Sequence, residues 1–193
     1  MARPLEFDKN IAMESAMDVF WEKGFESASL QDLIEAMDLS KSSFYQAFKS
    51  KHALYSETLG HYTDCMVDAL SRNLEATSSG LKFIEHAFAD VAEQAPLKSS
   101  QRGCFLMNTA TEFAQKNNEI ARLTKTGLKR IEAVFERAIE KAQRDGEISR
   151  SRDARSLANF LICNMSGLKT MVKAGLDRAV LRDVVKTIIA SLK

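Results

Sequence analysis

The chain has 193 residues, of which 45% are hydrophobic and 27% charged, and its formal net charge is +1. No apolar run approaches the roughly 18 residues of a membrane span, and the N-terminus lacks the apolar core of a signal peptide, so we expect a cytoplasmic protein. The three cysteines, Cys65, Cys104 and Cys163, are widely spaced and form no CxxC pair, which disfavours a disulfide framework or a zinc site.

Helical periodicity dominates the first third of the sequence. Only two prolines and eight glycines interrupt the whole chain, and no alternating β-branched run is present, which predicts an all-α fold of about nine helices. Asp8, Ser29, Ser40 and Ser50 each stand where a side chain can cap a helix, and the Ser29-x-x-Asp32 spacing resembles a capping box. The predicted helices are 8–23, 30–37, 41–48 and 51–76.

The remaining two thirds of the chain predict a helical bundle. Gly146 and Gly175 are the expected stops of two of its helices. The predicted helices are 79–94, 102–116, 118–144, 153–173 and 177–192.

Residues 30–48 contain two short helices joined by a tight turn at Asp38, which is the pattern of a helix-turn-helix. Phe44 and Phe48 lie one turn apart and are expected to anchor the second short helix to the core. The outer face of that helix is then left to Lys41, Ser42, Ser43, Tyr45 and Gln46.

This outer face suits the phosphate backbone of DNA. The free N–H groups and positive dipole at a helix N-terminus attract phosphate, small hydroxyls allow a close approach, and Lys41, Lys49 and Lys51 add positive charge. Residues 1–60 carry six Lys or Arg against ten Asp or Glu, so the interpretation depends on where those few cations lie. The alternative is an ordinary surface helix with capping serines and solubilising lysines.

The stretch "SLQDLIEAMDLSKSSFYQAFKSKHALY", residues 29–55, resembles the TetR/AcrR family of bacterial one-component transcriptional regulators. The resemblance implies a helix-turn-helix at 29–48 within a family domain of about 6–66. We accordingly divide the chain into a DNA-binding domain, 1–50, and a ligand-binding and dimerisation domain, 51–193. This sequence has Asp38 and Ser42 where the family often has Gly, and Ile34 where it usually has Ala.

The resemblance also assigns roles in binding double-stranded operator DNA. It implies that Lys41, Ser42 and Ser43 lie at the major groove, and that Ser29, Tyr45 and Lys51 hold phosphates. Arg3 is expected to reach a neighbouring groove or phosphate, and Gln46 and Lys49 complete the predicted DNA-binding set. No cofactor or metal is expected.

The last two helices have broad apolar faces. These faces form the core of the subunit or the four-helix interface of a homodimer, and both can hold on different stripes. The family resemblance implies the homodimer, which would present two recognition helices to a palindrome. Ser166 and Gly167 would allow close helix approach. The predicted interface residues are Leu157, Phe160, Leu161, Met165, Leu168, Leu181, Val184, Val185 and Ile188.

The middle helices carry aromatic residues at helical spacing, which form either core or, as the resemblance implies, the wall of a pocket for a small-molecule inducer. Asn108, Thr109 and Glu112 make a polar turn beside them that either orients a ligand or faces solvent. The predicted pocket residues are Phe83, Phe88, Cys104, Phe105, Met107, Asn108, Phe113 and Phe135.

Cys104 has two interpretations. It stands at a predicted helix start after Lys98 and Arg102, and a helix N-terminus and nearby cations favour the thiolate. The thiol is therefore either a sensor of oxidants or electrophiles or a small buried apolar residue.

Two other function classes compete with a repressor. An enzyme is disfavoured because the three histidines are scattered and the chain has no HExxH, nucleophile elbow or phosphate-binding Gly loop. A purely protein-binding helical bundle would not need the cations and hydroxyls between Lys41 and Lys51. The sequence therefore predicts a transcriptional regulator that is not an enzyme.

Overall fold

The computed structural model describes residues 7–113 and 117–193, and within these ranges it contains nine α-helices, one short 3-10 helix and no β-strand. None of these helices combines the length and apolarity needed to cross a membrane. The helices are α1 Lys9–Ser27, α2 Leu30–Ala36, α3 Lys41–Phe48, α4 Lys51–Ala76, α5 Gly80–Glu93, α6 Phe105–Phe113, α7 Asn118–Arg144, α8 Ala154–Lys173 and α9 Arg178–Ala190, with the 3-10 helix at Ser100–Arg102.

The caps read from the sequence start the first four helices. Asp8 accepts the N–H groups of Asn10 and Ile11, and Ser40 and Ser50 accept the N–H three residues further on. Ser29 and Asp32 form the reciprocal capping box of α2. Each cap satisfies N–H groups that would otherwise lack a partner at a helix start.

Helices α1 to α3 share one small core with the start of α4. Phe20, Leu33, Phe44, Phe48 and Leu54 are each at most 1% exposed. Helix α4 then leaves this core and packs along α7, which also packs against α5, α6 and α8. Helix α4 therefore contacts both the small core of α1 to α3 and the helices that follow it.

Gly80, the first residue of α5, makes a close helix crossing possible. A Cβ at this position would lie 2.1 Å from the Ala138 carbonyl oxygen and 2.7 Å from the Ala142 amide nitrogen, both on the backbone of α7. Only glycine lets the two backbones approach this far.

Helix α6 begins later than the sequence suggested, at Phe105 rather than Arg102. Residues 100–102 form the 3-10 helix, and Gly103 follows it with a φ of +75°, which separates the two helices. Cys104 directly precedes α6, and its carbonyl accepts the N–H of Asn108. The thiol therefore stands at a helix N-terminus, as expected.

Candidate nucleic-acid interface and effector cavity

The outer face of α3 is exposed to solvent because the opposite face of the helix is buried in the core. Phe44 is 0% and Phe48 1% exposed, and their rings pack 5.9 Å apart between centroids. This anchoring leaves Lys41, Ser42, Tyr45 and Gln46 exposed and Ser43 half-buried. The structure thus brings the predicted α3 residues together on one surface.

Ser40 organises the hydroxyl groups at the start of α3. Its Oγ lies 2.9 Å from Ser42 Oγ and 2.8 Å from Ser43 Oγ, and it accepts the Ser43 N–H at 3.1 Å. Three small hydroxyls therefore surround a helix N-terminus whose N–H groups and dipole favour an anion.

The turn before α3 is formed by Asp38, which has a φ of +51°. The Asp38 N–H donates to the Glu35 carbonyl at 3.2 Å and the Leu39 N–H donates to the Ile34 carbonyl at 3.0 Å. This pair of hydrogen bonds is the Schellman motif that usually ends a helix at glycine. Asp tolerates the left-handed conformation better than most residues, so α2 ends in this motif without glycine.

The remaining residues predicted to contact DNA differ in how exposed and how engaged their side chains are. Lys49 is exposed at a φ of +64°, where the Ser50 N–H donates to the Phe48 carbonyl and forms a tight γ-turn. Ser29 is exposed, but its hydroxyl is engaged with Asp32. Arg3 lies outside the described residues.

Lys51 is held within the fold. Its ammonium group donates to the Ala28 carbonyl at 2.8 Å and lies 4.4 Å from the centroid of the Phe25 ring. It therefore ties the start of α4 to the end of α1.

Some of the acidic residues of α1 are engaged with other parts of the chain. Asp18 pairs with Arg102 at 2.6 Å, and Glu14 lies 3.6 Å from His61 on α4. The Asp32 carboxylate accepts from Lys23 and from Ser29, which lowers its pKa from 3.8 to about 2. These contacts engage the Glu14, Asp18 and Asp32 carboxylates within the chain itself.

A cavity of about 420 Å³ lies between α4, α5, α7 and α8. Of the predicted pocket residues, Phe83, Cys104 and Phe135 line it. Phe135 was the one α7 residue predicted; sequence reasoning missed the other α7 residues and those of α4 and α8, because an apolar helix face does not show which cavity it borders. The further apolar lining residues include Tyr62, Met66, Leu70, Leu128, Ile131, Ile162 and Met165.

The other predicted pocket residues do not line this cavity. Phe88 is buried against Phe135, and Phe113 lies beside Phe25 with ring centroids 5.2 Å apart. Phe105, Met107 and Asn108 line a second cavity of about 440 Å³ between α1, α6 and the end of α8, which Cys104 also borders. Phe105, Met107 and Asn108 therefore border a different cavity from Phe83 and Phe135.

Tyr62 and Cys104 form a polar contact at the wall of the 420 Å³ cavity, with 3.7 Å between the hydroxyl oxygen and the sulfur. Burial, reinforced by the neighbouring thiol, raises the pKa of Tyr62 well above its usual value. The phenol is therefore neutral at physiological pH and can serve as a hydrogen-bond donor.

The apolar faces of α8 and α9 divide into a buried and an exposed stripe. Of the predicted interface residues, Phe160 and Val184 are exposed, and Met165 lines the cavity. The structure buries the others inside the protomer: Leu157, Leu161, Leu168, Leu181, Val185 and Ile188. The exposed stripe consists of Phe160, Cys163, Gly167, Met171, Val180 and Val184.

No three His, Cys, Asp or Glu side chains in residues 7–113 and 117–193 are arranged to hold a metal ion.

Two family models match the sequence. Residues 12–58 match bacterial regulatory proteins of the tetR family, and residues 80–188 match the tetracyclin repressor-like C-terminal domain. The first match covers α2 and α3, and the second covers α5 to α8 and most of α9.

Several known proteins are similar over nearly the whole chain. The HTH-type transcriptional repressor ComR of Escherichia coli K12 is 29% identical over 189 residues, which cover 96% of this chain and 89% of ComR. The HTH-type transcriptional repressor DhaR of Mycobacterium sp. strain GP1 is 25% identical over 93% of this chain and 89% of DhaR.

A solved structure of the TetR family transcriptional regulator CifR, with substituted cysteines and a 26 bp double-strand operator DNA, matches with a TM-score of 0.86. The identity is 27%, and the match covers 99% of this chain and 100% of that one. The reduced form of E. coli NemR has a TM-score of 0.84 at 17% identity over 93% of each chain, which shows a shared fold.

Proposed function

Because this chain belongs to the TetR family of bacterial regulatory proteins, we propose that it is a homodimeric repressor released from a palindromic operator by an inducer. The chain is a DNA-binding transcriptional regulator with homologues that are transcriptional repressors. Family membership, rather than any missing motif, places it among regulators and not enzymes. We expect it to act in the cytoplasm, where the operator lies.

The observation that carries the proposal is the exposed face of α3 above two fully buried phenylalanines. In this proposal Lys41, Ser42 and Gln46 meet base edges in the major groove, and Tyr45 donates its hydroxyl to a phosphate. Tyr45 is 47% exposed, so a substitution there removes a surface contact and little core.

The test is a fluorescence anisotropy titration against DNA flanking the protein's own gene, at two salt concentrations. We expect salt-sensitive binding to a palindromic segment. Tyr45→Phe removes one phosphate contact per subunit and should weaken binding about tenfold with the fold unchanged. Sequence-independent binding by the wild-type protein would contradict the proposal.

The exposed stripe of α8 and α9 supports the dimer. Phe160 is 38%, Met171 47% and Val180 48% exposed, and large apolar side chains left exposed on two helices that pack together are typical of an interaction site. A Cβ added to Gly167 would meet nothing within 4 Å in the protomer, which leaves room for a helix of a second copy.

Phe160→Asp tests the dimer, with Thr126→Asp on the exposed face of α7 as the control. We expect the wild type and the control to have dimer mass at micromolar concentration and Phe160→Asp to be monomeric. Because a single short recognition helix binds weakly, the monomeric variant should also lose operator binding. A monomeric wild type would overturn this part of the proposal.

The 420 Å³ cavity supports an inducer of small-molecule size, with an apolar body that contacts Phe83, Ile131 and Phe135. An inducer lowers operator affinity only if it binds the DNA-free arrangement more tightly than the DNA-bound one. Ala87→Phe, on the cavity wall, should fill part of this volume and reduce the response to inducers while operator binding persists.

Cys104 supports an electrophile as one class of inducer, since its sulfur borders the cavity at the start of α6. A thiol that adds to an activated carbon–carbon double bond forms a sulfur–carbon bond and leaves its proton on the neighbouring carbon. Tyr62 lies where its hydroxyl can donate to the activating carbonyl. If Cys104→Ser responds to N-ethylmaleimide as the wild type does, the thiol has no sensing role.

A further inference from the structure

Helix α1 is broken at Gly24, near the end that faces the rest of the molecule. Gly24 has φ +79° and ψ 169°, a backbone conformation that is essentially restricted to glycine. A new turn begins there, closed by the Ala28 N–H donating to the Gly24 carbonyl at 3.3 Å. Because the helix is interrupted at Gly24, the first N–H groups of this turn have no backbone carbonyl one turn earlier to which they can donate.

The side chain of Glu112 takes up these N–H groups. Its Oε2 accepts from the Phe25 N–H at 3.0 Å and its Oε1 accepts from the Glu26 N–H at 2.9 Å. Both carboxylate oxygens are therefore used, in charge-assisted hydrogen bonds. Glu112 lies on α6, 86 residues or more away in sequence from the turn it holds.

A second contact joins the same two parts of the molecule. The Trp21 indole N–H donates to the Arg102 carbonyl at 3.2 Å, and the Arg102 guanidinium lies 4.7 Å from the Trp21 ring and pairs with Asp18 at 2.6 Å. The segment from Arg102 to Glu112 thus contacts α1 both before and after Gly24. Helix α6 begins directly after Cys104, which borders the 420 Å³ cavity.

We propose that Glu112 is a positioning residue for operator binding: its carboxylate couples α6, which begins directly after the cavity-lining Cys104, to α1 and so to the orientation of the recognition helix. The inference rests on the proposed function. A Cβ on residue 24 would lie 3.2 Å from the carboxylate, so the break in α1 and the acid on α6 fit each other closely. When α6 shifts, Glu112 moves the end of α1 with it.

The first test measures amide hydrogen exchange at residues 25 and 26. These N–H groups are protected in the wild type if Glu112 holds them. They should exchange at least tenfold faster in Glu112→Gln. The glutamine NH₂ group would face a backbone N–H, which is also a donor, so one of the two hydrogen bonds to residues 25 and 26 is lost. Glu140→Gln is the matched control, since Glu140 is exposed on α7 and has no hydrogen bond or ion pair among the described residues. Unprotected amides in the wild type would overturn the proposal whatever the variants do.

The second test measures operator binding with the half-site spacing varied by one base pair. The wild type should strongly prefer one spacing, whereas Glu112→Gln and Glu112→Ala should bind the best operator roughly tenfold more weakly and lose most of that preference. A merely destabilised protein would keep its spacing preference. Glu112 variants with wild-type affinity and preference would overturn the inference alone, whereas a wild type that binds no operator would overturn the proposed function.

Discussion

Lys49 and Lys51 are two residues apart, but the structure predicts that removing them has different effects. Lys49 is exposed at the end of α3, with no ion-pair partner among the described residues. Lys51 donates to the Ala28 carbonyl and lies over the Phe25 ring. We therefore expect Lys49→Ala to act on the DNA complex and Lys51→Ala to act on the free energy of unfolding.

The sizes of the two effects follow from these contacts. A dimer that loses one phosphate contact per subunit should lose about 1.8 from the slope of log K against log salt, since each contact contributes about 0.9. Between 50 and 200 mM salt this makes the fall in affinity about tenfold smaller than in the wild type. Lys51→Ala removes a charge-assisted hydrogen bond and a cation–π contact, which together should lower the free energy of unfolding by about 1–3 kcal/mol.

Two measurements on each variant separate the outcomes: anisotropy titrations over a salt series and urea unfolding followed by circular dichroism. Lys49→Ala should change the salt slope and keep the urea midpoint. Lys51→Ala should lower the midpoint and keep the slope. If Lys51→Ala reduced the slope without any loss of stability, its ammonium would leave the Ala28 carbonyl for a phosphate, and this reasoning would fail.

Three further predictions concern stability. Gly80→Ala should lower the free energy of unfolding by at least about 2–3 kcal/mol, because the new methyl group meets the backbone of α7. Gly60→Ala is the control: residue 60 faces open space on α4, so the substitution should raise the free energy of unfolding by up to about 1 kcal/mol. Urea unfolding measures both changes. Asp38→Gly should raise the thermal midpoint by relieving a positive φ, a gain of about 0.5–1 kcal/mol that scanning calorimetry can resolve. The pKa of Asp32 is depressed to about 2 in the fold, so the ionised carboxylate stabilises the protein fully above about pH 4 and no longer does so as the pH falls towards 2. In acid unfolding, the difference in free energy of unfolding between the wild type and Asp32→Asn should therefore vanish between these pH values.

The sequence was sufficient for the local part of the fold. Helix starts at Asp8, Ser29, Ser40 and Ser50 were predicted because a cap acts on N–H groups two or three residues away. The inner face of α3 was likewise predicted, because Phe44 and Phe48 follow helical spacing. The prediction of a family and of its fold is confirmed by the matching family models.

The cavity and the joint between α1 and α6 could not be predicted in the same way. The Trp21 contact with Arg102 spans 81 residues, and Phe25 meets Glu112 across 87. Periodicity shows that a face is apolar but not which helix covers it, so Glu112 was indistinguishable from a ligand-orienting or solvent-facing side chain. Phe105 and Phe113 were assigned to the pocket for the same reason, although they pack towards α1 and α4.

In the proposed dimer, helix α8 illustrates why periodicity alone does not separate an interface stripe from a core stripe. A helix that packs on its own subunit and on a second copy needs two apolar faces, and the more strongly apolar one belongs to the permanent core. Leu157, Leu161 and Leu168 form that core face, so the more regular pattern pointed inward. The outward stripe mixes Phe160 and Met171 with small residues, and such a composition lets backbones approach while large side chains fill the gaps at either end. The proposed dimer surface therefore has a weaker hydrophobic signal in the sequence than the core beneath it, and it can be recognised only once burial within the protomer is known.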